Sequence, residues 1–396
     1  MSEKVVQIAG RGDGVTDAGH YVPLAAPGDT IKDGKVVARG DGYREPPCRH
    51  FPECGGCQLQ HLTDAAFATY CETRVAGALA QKGLSTDIRA AHLSPPKSRR
   101  RADLKALKLG KRVVIGFTQE KSHKIVDMTE CHVLHPDLFA LLSPLRDLLG
   151  KMLPPRRTGR VQMTLTDQGV DLMLAGIEAE GLEAAEALPA FAERQRLARL
   201  SVDEGYGAEP RYEPQPVTIT LGDIAVPFPQ GSFLQATKDG EQALVDGVAE
   251  ALEGSDGPTL DLFAGLGTFA LSVGKQVTAA EAGREAILSL MQAARRARRS
   301  VDPEHRDLYR RPYDAKELAA FGAVILDPPR SGAEAQCREL AASKVPVTAM
   351  VSCNPGTFAR DAAILVEGGY SLDWVRPVGQ FRWSTHVELV SRFTCG

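Results

Sequence analysis

The chain has 396 residues and a formal net charge of −3, with 43% apolar and 24% charged residues. This composition is typical of a globular protein and excludes a strongly basic chain that coats nucleic acid indiscriminately. It contains no apolar run of about 18 residues and no secretory leader pattern, so we expect no transmembrane helix and a cytoplasmic location. In that compartment the eight cysteines are expected to include metal ligands, a catalytic thiol or core residues rather than disulfides.

The first half of the chain is predicted to be rich in strands. Residues 1–45 alternate short apolar segments with glycine turns, and residues 58–83 have helical spacing that stops at Gly83. Residues 96–215 combine strands, in "RVVIGF", "RVQMTLTD" and "VDLMLAG", with a helix near 178–198. The stretch 204–216, rich in proline and glycine, is the best linker candidate.

Four cysteines are candidates for a metal site. Cys48, Cys54 and Cys57 are closely spaced around "CGGC", and Cys131 follows 74 residues after Cys57. Four thiolates can hold a zinc ion or a cubane iron–sulfur cluster, and the residues alone leave both possibilities open. The two glycines are expected to let the backbone wrap closely around the metal. The remaining motif-free cysteines are interpreted as structural and the histidines near the cluster as polar or surface residues: Cys71, Cys337, Cys395, His50, His61, His132 and His135.

After residue 216 the pattern changes to alternating strands and helices. Strands are predicted at 259–264, 277–281, 323–327 and 347–353. This alternation indicates βαβ units, so we expect a doubly wound α/β domain with ligands at the carboxyl ends of its strands.

A glycine loop follows the first of these strands. In "DLFAGLGTF", Gly265 and Gly267 permit a tight turn or the close approach of a ligand, and Glu281 ends the next strand, where it can bind a ribose diol. Ala270 replaces the third glycine of the dinucleotide fingerprint, which argues against a ligand with a pyrophosphate. A ligand that carries a nucleoside without pyrophosphate is therefore favoured over a purely structural turn, and S-adenosylmethionine fits this description best.

Two further strand ends carry candidate chemistry. "LDPPR" places Asp327 before a rigid proline pair that can accept hydrogen bonds from a substrate base. "VSCNPGTFARD" places Cys353 before a turn that enters a helix, and the thiol is either a buried core residue or a nucleophile. A helix N-terminus there is expected to lower the pKa of the Cys353 thiol.

Together, Phe233-x-Gln235, "DLFAGLGTF", "LDPPR", "SCNP" and "HVE" resemble the RNA 5-methyluridine (uracil-C5) methyltransferase family along nearly the whole chain, and within it the iron–sulfur 23S rRNA enzymes. The resemblance implies three parts: a short OB-like (TRAM-like) RNA-binding segment at 1–45 that lacks its last strands, a β-rich central domain with a [4Fe–4S] cluster at 46–215, and a Rossmann-like class I methyltransferase domain at 216–396. A β-rich arm is the alternative for the first part. The resemblance also implies that Cys353 adds to C6 of uracil and that Glu388 removes the C5 proton.

The resemblance further assigns ligands and partners. It implies that the cluster is held by Cys48, Cys54, Cys57 and Cys131. The residues expected to hold S-adenosyl-L-methionine or the target base are Gln235, Phe263, Gly265, Gly267, Thr268, Glu281, Asp314 and Asp327. RNA with an unpaired or loop uridine is the expected partner, with no membrane and no obligatory protein partner. Three positions depart from the family, since asparagine is common at Thr237 and Thr268 and proline at Arg382.

Several alternatives remain open at this stage. They are a tRNA uracil-C5 methyltransferase, a nucleobase amino-group methyltransferase, and a non-catalytic iron–sulfur RNA-binding protein. A cytosine-C5 enzyme is less favoured because "DPPR" lacks a cysteine. The basic stretches 96–112 and 294–300 are candidates for phosphate binding, or for ordinary solvated faces.

Overall fold

The computed structural model describes residues 2–120, 122–273 and 276–396. Its first unit is an open sheet of five short strands in the order β3-β2-β1-β4-β5. The strands are β1 (Glu3–Ile8), β2 (Gly14–Thr16), β3 (Tyr21–Val22), β4 (Thr30–Lys32) and β5 (Lys35–Ala38). The buried Asp29 carboxylate holds the connections in place by accepting hydrogen bonds from the N–H groups of Ala26 and Gly40 and from Arg39. Five strands therefore fit into this short segment, which differs from the expectation that the last ones are missing.

The segment that follows joins the C-terminal sheet. Helix α1 (Asp64–Ala80) begins at the Thr63 cap, whose hydroxyl accepts a hydrogen bond from the Ala66 N–H at 3.3 Å. The short strands β6 (Asp87–Ile88) and β7 (His92–Leu93) both pair with a strand near the C-terminus. Residues 64–93 thus lie against the C-terminal unit, while the domain boundaries at 45 and 215 stay a prediction.

The central unit is a six-stranded sheet in the order β13-β12-β11-β10-β8-β9. Its elements are β8 (Arg101–Leu109), β9 (Arg112–Gly116), α2 (Pro136–Ala140), α3 (Leu142–Met152), β10 (Thr158–Thr166), β11 (Gly169–Ala175), α4 (Leu182–Arg194), β12 (Arg199–Asp203) and β13 (Ala208–Tyr212). Leucines of α3 and α4 pack with the inward residues of the sheet in one apolar core. The predicted linker 204–216 is wrong in part, because β13 pairs antiparallel with β12 at the sheet edge.

The C-terminal unit begins with a separate hairpin, β14 (Thr218–Leu221) and β15 (Ile224–Pro227). A large sheet follows, in the order β18-β17-β16-β19-β20-β22-β21-β6 with β7 beside β21. Its remaining elements are α5 (Lys238–Ala251), β16 (Thr259–Leu262), β17 (Val277–Glu281), α6 (Arg284–Ala297), β18 (Val301–His305), α7 (Ala315–Leu318), β19 (Ala323–Leu326), α8 (Glu334–Ser343), β20 (Val347–Ser352), α9 (Pro355–Glu367), β21 (Tyr370–Gly379) and β22 (Glu388–Cys395).

The chain order within this sheet fixes where a ligand can bind. Strands β16 to β20 are parallel, and the chain passes from β16 to β17 on one side and returns to β19 on the other. The order therefore reverses between β16 and β19, which opens a crevice at their carboxyl ends. This confirms the prediction of a doubly wound α/β unit. In the part of the chain that is described, no helix has the length and apolar character needed to cross a membrane.

Candidate active site

The predicted nucleophile and the predicted base lie opposite each other on neighbouring strands. Strand β22 runs antiparallel to β20, and the last pair of the ladder is Ser352 with Leu389. The next residues in that register are Cys353 and Glu388, which lie at the carboxyl edge of the parallel strands. Antiparallel pairing thus brings together two residues that are far apart in sequence and that spacing alone could not pair.

Burial and neighbouring carboxylates control the protonation of this pair. Burial, with the charges of Glu388 and Asp327, raises the pKa of the Cys353 thiol to about 11. Burial and Asp327 likewise raise the pKa of Glu388 to about 8, and burial raises that of Asp327 to about 7. The expectation of a lowered thiol pKa is therefore wrong for the ligand-free protein, because two carboxylates and burial outweigh the helix that follows.

Two features favour the thiolate and oppose this effect. Helix α9 does begin directly after Cys353, and the Asn354 side chain caps it by accepting a hydrogen bond from the Gly356 N–H at 3.0 Å. Arg330, in the "DPPR" loop, lowers the pKa of the thiol through its positive charge. The Arg330 carbonyl also accepts a hydrogen bond from Asn354, so the loop and the helix start are connected.

The glycine loop after β16 has the geometry of a ligand-binding turn. Gly265 and Gly267 have φ values of +56° and +92°. A Cβ on Gly267 would come within 2.3 Å of Leu290, so this position packs against α6. A Cβ on Gly265 would meet no described atom within 4 Å, so this side of the loop is open. The open side faces away from the packed core, and a ligand can approach the backbone there.

Glu281 is fixed at the end of β17 beside this loop. Its carboxylate accepts hydrogen bonds from the Gly265 N–H at 3.0 Å and the Gly283 N–H at 2.6 Å. These bonds orient the carboxylate at the carboxyl edge, and each oxygen keeps a further lone pair for a ligand hydroxyl.

An aromatic pair stands at the same edge. Phe263 follows β16 with a φ of +63°, a strained conformation for a residue with a side chain. Its ring lies 5.5 Å from that of Tyr309, whose hydroxyl contacts the Ser331 hydroxyl at 2.8 Å and donates to the Gly332 carbonyl at 3.1 Å. Tyr309 therefore links the loop after β18 to the loop after β19, and sequence reasoning missed it.

Gln235 lies on the Glu388 side of the site. Its buried side-chain oxygen accepts a hydrogen bond from Gln380 at 2.7 Å. Gln380 also opposes the rise in the pKa of Glu388 through a side-chain hydrogen bond. No motif indicated Gln380, because its role follows only from the folded loop. The departure at Thr237 is conservative in the fold, since its hydroxyl caps α5 by accepting from the Gly240 N–H.

Two predicted residues are engaged elsewhere. Asp314 caps the short helix α7 and accepts hydrogen bonds from the N–H groups of Lys316 and Glu317. Thr268 lines a cavity of about 160 Å³ between the β14–β15 hairpin and α5. Asp307 comes two residues after the last β17–β18 pair, Glu281 with His305, and its carboxylate accepts hydrogen bonds from the N–H groups of Tyr309 and Arg310.

Asp261, in the middle of β16, is a further missed residue. It is fully buried, and only one of its carboxylate oxygens has a partner among the described residues, the Ala270 N–H at 3.0 Å. Burial, then the charges of Asp327 and Glu281, raises the pKa of this carboxyl well above its usual value. An acidic residue within an apolar strand was the sequence signal that could have indicated it.

The four predicted cluster cysteines line one small cavity of about 20 Å³, together with His50 and His132. Among the described residues no three Cys, His, Asp or Glu side chains are grouped as a single metal ion requires. The glycines of "CGGC" have another reason to be there, because a Cβ on Gly55 would lie 2.4 Å from the Thr118 carbonyl. The flanking His61 is fully buried and therefore not a surface residue.

Several arginines of the two basic stretches are engaged within the protein. Arg100 pairs with Glu241 at 2.6 Å, and Arg101 donates to the Leu234 carbonyl. In the second stretch Arg299 pairs with Asp223. Ser300 accepts a hydrogen bond from Val277 at the beginning of β17, which puts this stretch at the amino edge of the sheet, opposite Cys353.

Comparison with known proteins identifies the family. No family model matches the chain. An RNA methyltransferase of Zymomonas mobilis is 49% identical over 395 residues, which is 99% of each chain. The 23S rRNA (uracil(1939)-C(5))-methyltransferase of Halomonas elongata is 33% identical over 89% of this chain and 77% of its own length.

The fold has a solved counterpart. The tRNA (uracil-54, C5)-methyltransferase of Pyrococcus abyssi, in complex with S-adenosyl-L-homocysteine, superposes over 100% of both chains with a TM-score of 0.74 and 23% identity. The likeness shows a class I methyltransferase fold of the uracil-C5 type. With the curated relatives, it supports the interpretation made from the motifs. The chain belongs to the RNA uracil-C5 methyltransferase family.

Proposed function

We propose that this enzyme transfers a methyl group from S-adenosyl-L-methionine to C5 of a uridine in RNA, with 23S rRNA as the substrate. The observation that carries the proposal is that Cys353 and Glu388 lie at adjoining ends of the paired strands β20 and β22, where the charges of Glu388 and Asp327 act on the thiol. A thiol and a carboxyl at one strand edge are the groups needed to form and then release a covalent uracil adduct.

The chemistry follows from what each group can do. The Cys353 thiolate forms a bond to C6 of uracil, and the C5=C6 electrons move toward O4, so that C5 becomes a nucleophile. S-adenosylmethionine supplies the electrophilic methyl group that C5 takes. The Glu388 carboxylate then accepts the C5 proton, the C5=C6 bond re-forms, and the C6–S bond breaks to return the thiolate. With its pKa raised to about 8, the ionised Glu388 is a stronger base than an ordinary carboxylate, and this ionised form predominates above that pH.

The methyl donor fits the crevice beside the glycine loop. Glu281 would bind the ribose diol, Phe263 and Tyr309 would enclose the base, and the open side of Gly265 leaves room for the ligand. We keep Gln235 and Asp327 as contacts to the donor or the target uracil. Thr268 and Asp314 remain predicted contacts, although Asp314 caps α7 and Thr268 lines a separate cavity.

The choice of RNA rests on one relative. The Halomonas elongata protein is named for 23S rRNA, whereas the Pyrococcus abyssi structure is of a tRNA enzyme that is more distant in sequence. We therefore favour 23S rRNA and keep tRNA as the second candidate.

The test is to map 5-methyluridine by mass spectrometry in ribosomal and transfer RNA from cells with and without the gene, complemented by wild-type protein or by Cys353→Ala. We expect one uridine in 23S rRNA to lose its methyl group and only wild-type protein to restore it. A loss confined to tRNA would select the second candidate. Unchanged 5-methyluridine in both RNAs, with no adduct on 5-fluorouridine RNA, would favour a non-catalytic RNA-binding protein.

We also propose a [4Fe–4S] cluster on Cys48, Cys54, Cys57 and Cys131. Support comes from the single cavity that all four thiols line. A cubane carries its thiolates on four separate irons, so it spaces them more widely than one tetrahedral ion does. Bound there, the cluster would join the 48–57 segment to the residues around Cys131.

The cluster is tested on protein purified without oxygen. We expect iron and sulfide, a brown colour that Cys54→Ala abolishes, and impaired folding or RNA binding in that variant. Cys395→Ala, a partly buried thiol outside the cavity, should keep the iron. Zinc in place of iron in the wild-type protein would select the alternative metal. A colourless Cys54→Ala protein with normal folding and activity would refute a structural role.

A further inference from the structure

The loop that leads into Glu388 is unusual because most of it is buried. We call residues 380–387, which connect β21 to β22, the base loop. Gln380 and Trp383 are each 1% exposed, Val387 is 2% exposed, and Arg382 is 8% exposed. Loops normally run over the surface, since their backbone groups need partners. Other parts of the molecule must therefore supply those partners.

Two segments outside the C-terminal sheet hold the backbone of the base loop. Trp383 has a φ of +58°, and its carbonyl accepts hydrogen bonds from the N–H groups of Gln58 and Leu59, both at 2.8 Å. The Thr385 carbonyl accepts a hydrogen bond from the Tyr70 hydroxyl of α1 at 3.3 Å. A residue with a side chain keeps such a φ only where its surroundings impose it.

Arg382 ties the base loop to two further segments. One guanidinium nitrogen donates to the Ser94 carbonyl at 2.9 Å, and another donates to Asp64, at the beginning of α1. The guanidinium also lies 4.7 Å from the Trp383 ring centroid. Its Nε has no partner among the described residues. A buried guanidinium with one unsatisfied donor is a costly way to stabilise a fold, and this suggests that it has a further role.

We propose that Arg382 is a positioning residue for Glu388: by fastening the base loop to Asp64 and Ser94, it holds the Glu388 carboxyl in line with Cys353. The proposal rests on the proposed function, because it concerns the step in which Glu388 accepts the C5 proton. Addition of Cys353 and methyl transfer do not need that carboxylate. A displaced Glu388 should therefore slow release of the product and spare the earlier steps.

The expected signature is a stalled covalent complex. The Arg382→Ala protein is incubated with RNA from a strain that lacks the gene and with S-adenosylmethionine labelled in its methyl group. On a denaturing gel we expect methyl-labelled RNA that is still covalently bonded to the protein. Release should slow by about 10- to 100-fold, the range expected when a reacting group is misplaced. Glu388→Gln is the reference for a complete block, and Arg382→Lys should restore part of the release rate.

Arg44 provides a matched control. It also pairs with Asp64, at 3.4 Å, and lies 5.3 Å from the Trp383 ring centroid, but it is outside the base loop and 33% exposed. Arg44→Ala removes an arginine from the same cluster and should release product at the wild-type rate. Equal stalling in both variants would mean that the cluster matters only as packing and would overturn the proposal.

A pH profile gives a second readout that general destabilisation does not produce. In the wild-type enzyme the release rate should rise through about pH 8, the pKa of Glu388. When Arg382→Ala loosens the loop, water should reach Glu388, and the apparent pKa should fall toward its usual value. The proposal would be contradicted if Arg382→Ala released product normally with an unshifted pH profile. It would also be contradicted if this variant lost methyl transfer and adduct formation to the same extent.

The result separates this inference from the proposed function. If Cys353→Ala still methylates RNA, or Glu388→Gln forms no labelled adduct, the mechanism itself fails, whatever Arg382 does. If Glu388→Gln stalls while folded Arg382→Ala releases normally, only the inference fails. If Arg382→Ala does not fold, Asp64→Asn tests the same bond from its exposed end, and normal release by that variant would refute the proposal.

Discussion

The buried carboxyl group of Glu388 makes the stability of the folded protein depend on pH. Burial beside Asp327 raises its pKa from 4.5 to about 8. The folded protein therefore binds this proton more tightly than the unfolded chain does. The resulting stabilisation is complete below about pH 4.5 and is lost as the pH rises through about 8.

We predict that Glu388→Gln melts at a higher temperature than the wild-type protein at about pH 9, by at least about 2 °C. A neutral amide avoids burying a charge there, and at about pH 5 the two proteins should differ much less. Thermal unfolding monitored by circular dichroism between these pH values measures the effect. Glu317→Gln is the control of opposite sign, because Arg306 lowers the pKa of Glu317 to about 2. A lower melting temperature for Glu388→Gln at high pH would contradict the argument.

At the scale of elements, strands whose own residues are apolar could be predicted. β17 was predicted with its observed bounds. The strands predicted to end at Asp327 and Cys353 were each predicted one residue too long at their carboxyl end. β18, "VDPEH", was missed, because it is a strand only through its parallel pairing with β17. β13 was mistaken for a linker for the same reason. Edge strands owe their structure to a partner, which their own sequence does not reveal.

In the site, too, features that depend on neighbouring residues in sequence could be predicted, and features that depend on distant residues could not. Motifs located the strand ends and the glycine loop, because these depend on neighbouring residues. The raised pKa of Cys353 and the role of Gln380 depend on residues brought together by the fold. Those features could not be inferred from spacing.

The glycine loop gives a prediction at this scale. Gly265→Ala should fold with a loss of about 1–2 kcal/mol from its positive φ of +56°, because its Cβ otherwise meets open space, and should weaken S-adenosylmethionine binding by about tenfold or more by occupying the ligand's place. Isothermal titration calorimetry measures the affinity. Gly254→Ala, also at a positive φ of +75° with open surroundings, controls for backbone strain. Equal affinities in the two variants would place the ligand elsewhere.

At the scale of the whole molecule, two buried arginines of the central unit reach into the C-terminal unit. Arg100, just before β8, pairs with Glu241 of α5 at 2.6 Å and donates to the Gln235 carbonyl at 3.0 Å. Arg199 of β12 forms two hydrogen bonds with Asp171 and a third with the Phe228 carbonyl beyond the hairpin. The central unit and the C-terminal unit are thus fastened at two places, one of which is at Gln235.

This arrangement predicts that Glu241→Gln destabilises the protein strongly. The substitution leaves Arg100 buried without a counter-charge, which costs about 3–5 kcal/mol. Because Arg100 also holds the Gln235 backbone, binding of the methyl donor should weaken in the same variant. The midpoint of urea unfolding, followed by tryptophan fluorescence and circular dichroism, measures the loss.

The exposed pair Arg160–Asp103 provides the comparison. Its side chains share two hydrogen bonds, whereas Arg100 donates one to Glu241, but they are 43% and 47% exposed. Asp103→Asn should therefore cost less than about 1 kcal/mol. The double variant Arg100→Leu with Glu241→Leu removes both charges and should recover much of the stability lost in Glu241→Gln, while leaving Gln235 unsupported. If the double variant has full stability but binds the methyl donor more weakly, the ion pair serves the site. If Asp103→Asn and Glu241→Gln destabilise the protein equally, burial does not determine how much an ion pair contributes to stability.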